Sequence, residues 1–386
     1  MSDPRKRQLP SSDDPELGGR LEKLLQHVHD LGLGDAALAT SYEVIGEILG
    51  ERARMAHDRA EHAGIAEEVI EAPIFVTGLP RSGTTLLHML IGADPNNRMP
   101  KLWEVARPSP PPGLGREIEA RRGRTDQELK DLLRVDPTLL QAHPYFDEGG
   151  EAAAECEHLG VLDFHFVRRT LGYYSRIPAF LNVELIESDV AFFRSHKQIL
   201  QHLQWRTAPK RWTLKGTEHY IRLHALKTVY PDARIVWIHR DPQKVFPSIM
   251  ALHCNLAEGM SGQPVDRVAF GRQLLNRYGA MLETAMQSEF LRHPDVVHLL
   301  YADFAADPVA AIASCYAQLR LPFDAETEAS IRGWLTSNRG DRHGRFKYDL
   351  GSFGIDRDEL EARFAGYRAA FDIPFEGSRV ASAAAQ

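Results

Sequence analysis

The residues most suited to chemistry lie in the segment GLPRSGTT at positions 78–85. The apolar run Ile74-Phe75-Val76 precedes this segment, and leucines at helical spacing follow it. In a strand–GxxxxG–helix context, backbone N–H groups and the helix N-terminus bind an anion. The pattern therefore predicts a phosphate-binding loop, and a turn that carries a solvated arginine is the alternative. The predicted ligand-binding residues of the loop are Arg81, Ser82, Gly83, Thr84 and Thr85.

The loop departs from the pattern of nucleoside triphosphatases at one position. Those proteins require lysine where this chain has Thr84, because the lysine binds the β- and γ-phosphates. The cation of this loop is instead Arg81, whose guanidinium can donate two parallel hydrogen bonds to a phosphate or sulfate group. Two alternatives stay open: a P-loop kinase or NTPase-like nucleotide-binding protein, and a nucleotide-binding scaffold without catalysis.

A second candidate anchor for an anion lies far along the chain. The apolar run 235–238 ends near Arg240, and Ser248 follows eight residues later. Asp241-Pro242 is typical of a helix start, which would place a helix N-terminus beside the guanidinium. A salt-bridge partner is the alternative interpretation of this arginine. A basic, glycine-bearing segment at 342–348 is a third candidate, with an exposed basic loop as its alternative.

Residues 80–85 resemble the 5′-phosphosulfate loop of sulfotransferases that use 3′-phosphoadenosine 5′-phosphosulfate (PAPS), in particular the bacterial-type branch. The resemblance extends over roughly residues 72–375. It implies an α/β, P-loop-like three-layer fold with a central parallel sheet flanked by helices. It also implies PAPS as the sulfuryl donor, 3′,5′-adenosine bisphosphate as the nucleotide product, and no requirement for a metal.

The resemblance also implies roles for the second and third anchors. An arginine and a serine with the spacing of Arg240 and Ser248 bind the 3′-phosphate of the donor in this family. The basic segment at 342–348 is similar to the family's C-terminal loop, which closes over the same phosphate. The residues of that segment assigned to the donor are Arg342, His343 and Gly344.

Sulfuryl transfer also requires a base near the hydroxyl group of the acceptor. Several branches of the family use a glutamate at about the place of Glu104, and the segment that contains Lys215 and His219 is similar to the family's LKxPxH segment. We predict Glu104 or His219 as the base, with Glu104 slightly preferred, and Lys215 as the group that neutralises charge. Structural roles are the alternatives. Glu155 and Cys156 resemble a short Glu-Cys segment of the family, for which we predict no role.

The elements that must position these residues alternate along the chain. Apolar runs at 74–76, 212–214, 235–238 and 296–301 are each followed by a helical pattern, which predicts a parallel sheet covered by helices. Ligands of such sheets bind at the carboxyl ends of the strands, where each motif falls. We predict a disordered tail at 1–19, a helical extension at 20–70, the catalytic domain at 71–376, a flexible tail at 377–386, and an aromatic acceptor pocket within 141–205.

Composition excludes several classes of protein. The 46 basic and 53 acidic residues give a net charge of −7, which argues against non-specific nucleic-acid binding. Three cysteines without CxxC spacing, and the polar start of the chain, favour a cytoplasmic protein without a disulfide framework. No apolar run is long enough for a membrane span. The expected acceptor is the hydroxyl group of a small molecule, glycan or lipid, with an amine as the alternative, and a homo-oligomer stays open.

Overall fold

The computed structural model describes residues 15–30, 32–137, 139–165, 189–261, 263–338 and 350–376. Within these ranges, five parallel strands form one sheet in the order β2-β3-β1-β4-β5. The strands are β1 (Ile74–Thr77), β2 (Asn97–Arg98), β3 (Arg211–Lys215), β4 (Arg234–His239) and β5 (Val296–Leu300). The predicted α/β class with a central parallel sheet is therefore confirmed.

Helices precede the sheet and connect its strands. In the first half of the chain they are α1 (Pro15–Asp30), α2 (Asp35–Glu61), α3 (Gly64–Glu67), α4 (Thr84–Gly92), α5 (Leu102–Ala106), α6 (Ile118–Val135), α7 (Leu139–Ala142) and α8 (Cys156–Leu159). In the second half they are α9 (Asp189–Gln204), α10 (Leu223–Val229), α11 (Pro242–Ser261), α12 (Arg267–Met286), α13 (Tyr301–Ala306), α14 (Pro308–Gln318), α15 (Ala325–Ser337) and α16 (Arg357–Ala370). None of these helices combines the length and apolar character that crossing a bilayer requires.

The sheet is covered on both faces because its central strands are apolar throughout. Successive side chains of a strand point to opposite faces. Accordingly, Phe75 belongs to one buried cluster, and its neighbours Ile74 and Val76 belong to the other. Removing one such side chain from water contributes about 1.5–3 kcal/mol to stability. The two clusters lie on opposite faces of the sheet, so the fold has three layers, with the sheet between two layers of helices.

The predicted strands are observed with small shifts. The last one ends at Leu300, and Tyr301 already begins a helix. Asp307 caps the helix that starts at Pro308, because its carboxylate accepts the N–H groups of the next turn. The two-residue strand β2 was not predicted, since two residues carry no periodicity that identifies a strand.

The N-terminal region differs from the prediction at its start. Helix α1 begins at Pro15, so residues 15–19 are helical, whereas we predicted a disordered tail up to residue 19. The pair Gly18-Gly19 suggested a tail, but Leu17 lies on the same buried stripe as Leu21 and is fully buried. Burial of this stripe outweighs the low helix propensity of two glycines. The N-terminal helices share one hydrophobic cluster with the sheet residue Phe75.

Candidate active site

The loop between β1 and α4 is shaped by two glycines in the left-handed half of backbone space. Gly78 has φ 147° and Gly83 has φ 99°. A Cβ at Gly78 would lie 2.5 Å from the carbonyl oxygen of Ile238, and one at Gly83 would lie 2.9 Å from Cδ2 of Tyr301. Other residues at either position would therefore be strained and would collide with β4 or α13. The glycines let the loop pack tightly against both neighbours.

The hydroxyl and arginine residues of the loop have different surroundings. Ser82 is buried and donates a hydrogen bond of 2.7 Å from Oγ to the carbonyl oxygen of Leu79, so it closes the turn. Arg81 adopts a φ of 67°, which is uncommon for a residue with a side chain. Helix α4 starts at Thr84, and no side chain among the described residues caps it. Its first backbone N–H groups therefore suit an anion at the helix N-terminus.

Tertiary structure brings the second predicted anchor to this loop. Nε of Arg81 donates to Oγ of Ser248 at 3.1 Å, and Nη1 of Arg240 donates to the carbonyl oxygen of Arg81 at 3.1 Å. The guanidinium of Arg240 also lies 3.9 Å from the centre of the Tyr301 ring. Residues separated by more than 150 positions in sequence therefore form one cationic site. Pro247 lies inside helix α11, directly before Ser248.

A carboxylate that the sequence did not point to lies at the same place. Glu376 accepts two hydrogen bonds from Arg240, one from Nε at 2.8 Å and one from Nη2 at 3.1 Å. Its backbone N–H donates to Oδ2 of Asp241 at 2.8 Å. No local motif marks Glu376, because it is separated from Arg240 by 136 positions. The geometry alone identifies it.

Lys215 connects the loop to another carboxylate. Its Nζ donates to Oγ1 of Thr85 at 3.0 Å and to Oε1 of Glu155 at 2.7 Å. The side chain of Lys215 is 4% exposed and that of Glu155 is 14% exposed. Nδ1 of His143 lies 3.6 Å from the same carboxylate oxygen. The arrangement places a cation and a carboxylate next to the first turn of α4.

Local structure explains why Glu155 can face this site. It directly precedes the short helix α8, and its backbone N–H donates to Nδ1 of His158 at 3.0 Å. The ring of His143 stacks on Phe146 at a centroid distance of 4.6 Å. The sequence signal that could have found Glu155 is the Glu-Cys segment of the family resemblance, which carried no assigned role.

The structure places Glu104 in a different network. Its Oε1 accepts from Nη2 of Arg98 at 2.6 Å, and its Oε2 accepts from the backbone N–H of Lys101 at 3.1 Å. The residue is buried at the third position of α5, where it completes a capping box with Lys101. Both carboxylate oxygens therefore hold the β2–α5 connection, an arrangement that favours the structural role we considered for this residue.

His219 lies among aromatic side chains below the end of β3. It begins a short 3-10 helix at His219–Ile221 and is 1% exposed. Its ring centroid lies 5.3 Å from that of Phe193 and 5.5 Å from that of Phe75. A Cβ on Gly216 would lie 2.4 Å from Nε2 of His219. These contacts favour a packing role, which we also considered for this residue.

Some predicted residues lie outside the described part of the chain. They are Arg342, His343 and Gly344 of the basic segment, and Phe166, Tyr173 and Tyr174 of the expected acceptor pocket. Of the described aromatic residues in that region, Phe164, Phe192 and Phe193 belong to the hydrophobic core. His143, Tyr145 and Phe146 are half-buried.

Comparisons with known proteins identify the family and support the fold. The sequence model of the sulfotransferase family matches residues 73–325. A relative from Mycobacterium tuberculosis, named omega-hydroxy-beta-dihydromenaquinone-9 sulfotransferase Stf3, is 24% identical over 307 residues, which cover 74% of this chain and 71% of the relative. The crystal structure of sulfotransferase STF9 from Mycobacterium avium is similar with a TM-score of 0.77 and 25% identity, covering 96% of this chain and 94% of that one. Sulfotransferase STF1 from Mycobacterium tuberculosis H37Rv has a TM-score of 0.70 and 24% identity, covering 92% and 93% of the two chains.

Proposed function

The chain belongs to the sulfotransferase family, and from this premise we propose that it moves a sulfuryl group from PAPS to a hydroxyl acceptor by in-line transfer. The family and the missing loop lysine disfavour the P-loop kinase that was the main alternative. The nucleotide product would be 3′,5′-adenosine bisphosphate. The proposal assigns the 5′-phosphosulfate to the loop at 78–85 and the 3′-phosphate to Arg240 and Ser248.

One observation carries the choice of donor: Arg81, Ser248 and Arg240 are joined by hydrogen bonds of 3.1 Å. A nucleoside triphosphate presents all of its charge in one chain of phosphates. PAPS presents two separate anionic groups, one on each side of its ribose. A site with an arginine in the loop and a second arginine beside it suits the two-anion ligand, because each guanidinium can bind its own group.

For the chemical step we propose Lys215 and Glu155. The acceptor oxygen attacks the sulfur atom, the bond between sulfur and the bridging phosphate oxygen breaks, and the hydroxyl proton passes to the carboxylate of Glu155. Lys215 and the N–H groups at the start of α4 stabilise the negative charge that moves onto the leaving phosphate. The support is the ion pair of 2.7 Å between Lys215 and Glu155, which lies beside Thr85.

This assignment replaces our preference from sequence. Glu104 and His219 were the predicted bases, and the observed contacts of both favour the structural roles that were their alternatives. A base must reach the proton that it accepts. Both carboxylate oxygens of Glu104 accept hydrogen bonds within the β2–α5 connection, and His219 packs among phenyl rings, so these contacts disfavour such reach. Glu155 instead contacts Lys215, whose ammonium group is hydrogen-bonded to Thr85 at the first turn of α4.

For the acceptor we propose a hydroxyl group on a largely apolar molecule. The named mycobacterial relative acts on an omega-hydroxy menaquinone, which is a compound of this kind. The half-buried pair His143 and Phe146 adjoins Glu155, so an aromatic surface lies next to the proposed base. Such a surface suits apolar ligands that present one polar group.

Thermal stabilisation tests the choice of donor. We expect 3′,5′-adenosine bisphosphate to raise the melting temperature in the absence of Mg²⁺, and ATP with Mg²⁺ to raise it little, because at equal concentration the ligand that binds more tightly stabilises the folded state more. Stabilisation by ATP with Mg²⁺, and none by the bisphosphate, would overturn the proposal. A screen of alcohols and phenols with sulfur-labelled PAPS then identifies the acceptor.

A further inference from the structure

The last described residues of the chain lie against the strand end that carries Arg240. Oε1 of Glu376 accepts from Nε of Arg240 at 2.8 Å, and Oε2 accepts from Nη2 at 3.1 Å. The two side chains are 24% and 22% exposed, so solvent screens this pair only partly. The carboxylate therefore occupies one bidentate edge of the guanidinium, the kind of edge that a phosphate group also takes.

Glu376 is not required to orient Arg240. The guanidinium already donates from Nη1 to the carbonyl oxygen of Arg81 at 3.1 Å and lies over the Tyr301 ring at 3.9 Å. These contacts come from the loop and from α13, and neither depends on the C-terminal segment. Removing the carboxylate would leave Arg240 directed by both of them.

The C-terminal segment is held in place independently of the Glu376 side chain. The backbone N–H of Glu376 donates to Oδ2 of Asp241 at 2.8 Å. Arg368 donates to Oδ1 of the same aspartate at 2.7 Å and to the carbonyl oxygen of Ile373 at 3.1 Å. Its guanidinium also lies 3.8 Å from the centre of the Phe375 ring. The carboxylate can therefore turn away from Arg240 while the backbone of the segment stays in position.

We propose that Glu376 competes with the 3′-phosphate of the nucleotide for Arg240, and thereby determines how strongly the protein prefers nucleotides that carry this phosphate. The inference rests on the proposed function, which assigns Arg240 to the 3′-phosphate. Two anions at one guanidinium repel each other, so binding of the nucleotide requires the carboxylate to leave its edge. Because donor and product share the 3′-phosphate, the competition weakens the binding of both and favours release of the product.

The test compares two nucleotides on the full chain by calorimetry: 3′,5′-adenosine bisphosphate, and adenosine 5′-monophosphate, which lacks the 3′-phosphate. We expect Glu376→Gln to lower the Kd of the bisphosphate about three- to tenfold, as removal of a partly exposed competing charge should. The Kd of the monophosphate should stay unchanged. Glu359→Gln is the matched control, because it removes the same charge from the same C-terminal unit at a pair with Arg272.

A third variant separates this inference from the proposed function. Arg240→Gln should weaken the bisphosphate and leave the monophosphate unaffected. If it does not, Arg240 does not bind the 3′-phosphate and the proposed function fails at that anchor. If Arg240→Gln behaves as expected but Glu376→Gln leaves the Kd of the bisphosphate unchanged or raises it, the competition is refuted. Unchanged binding of the monophosphate shows that each variant is folded.

Discussion

Glu104 and Glu155 are two poorly exposed glutamates that each accept a hydrogen bond from a cationic side chain. Glu104 binds Arg98 with one oxygen and a backbone N–H with the other, at the start of a helix. Glu155 binds Lys215, which also binds the hydroxyl group of Thr85 in the loop at 78–85. The same residue type therefore holds a chain connection in one region and adjoins the proposed reaction centre in the other.

The difference between the two regions lies in what surrounds the carboxylate. In the β2–α5 region, both oxygens of Glu104 have partners that belong to the local fold, so a proton transfer there would break a helix cap. At the end of β3, the partner of Glu155 is itself tied to the ligand loop. Glu155 also belongs to a capping box, at the start of α8, so the cap itself does not distinguish the two residues. What differs is the cationic partner: that of Glu155 contacts the loop at 78–85, whereas that of Glu104 lies in β2.

The largest expected effect is that of Glu155→Gln. It should lower kcat by about 10²- to 10⁴-fold, because a positioned base contributes that much to catalysis. The Kd of 3′,5′-adenosine bisphosphate should change little. Steady-state assays measure kcat, and calorimetry measures the Kd. Glu151→Gln is the control, since it removes a carboxylate from a neighbouring pair with Arg122. If Glu155→Gln keeps the turnover of the wild type, Glu155 is not the base.

The second largest effect is a loss of folding stability when Glu104 is replaced. Glu104→Ala should lower the free energy of unfolding by about 3 kcal/mol, because the largely buried guanidinium of Arg98 then lacks its carboxylate partner. The folded fraction should keep its kcat within about threefold. Urea denaturation with parallel assays checks this. A loss of turnover without a loss of stability would instead return Glu104 to the role of base.

A smaller effect is expected at Thr85, the loop residue that Lys215 contacts. Thr85→Val removes the hydroxyl that accepts from Lys215 at 3.0 Å. We expect kcat/KM to fall about tenfold, as for the loss of one hydrogen bond to a charged group. Thr85→Ser keeps the hydroxyl and should retain most of the activity. Loss of activity in Thr85→Ser together with normal activity in Thr85→Val would mean that the methyl group, rather than the hydrogen bond, matters.

The smallest effect concerns pH and separates stability from catalysis. Burial lowers the pKa of His88 to about 4, and its Nε2 lies 3.0 Å from the carbonyl oxygen of Thr213. The unfolded chain binds this proton below about pH 6.5, but the folded chain does so only near pH 4. Stability is therefore full above pH 6.5 and is lost as the pH falls, by about 1 kcal/mol between pH 7 and 5.5.

Denaturation of the wild type and of His88→Gln at both pH values measures this contribution. The variant should lack this share of the pH dependence, because glutamine does not titrate and can still donate to Thr213. Identical pH dependence in the two proteins would mean that His88 does not titrate as its burial implies.

Local sequence was sufficient for four of the five described strands and for the glycine-bearing turn at 78–85. Apart from β2, the described strands are apolar runs. The helix starts at Pro242 and Pro308 follow aspartates, and Gly78 and Gly83 mark a turn that needs positive φ. These features depend on the conformational preferences of adjacent residues, which a sequence displays directly. The helix at 15–19 departed from prediction because burial of Leu17 overrides local propensity.

The partners of the charged groups were decided only by tertiary structure. The sequence pointed to Lys215 and Arg240 as cations at strand ends, but it did not show that Glu155 and Glu376 face them. Nor did it show that Glu104 is bound by Arg98. Those pairs that lie 60 and 136 positions apart have no spacing rule, because the packing of the intervening helices sets their distance. The sequence by itself thus determined the α/β class, four of the five described strands and the glycine-bearing turn, and the packed structure decided which carboxylate each cation meets.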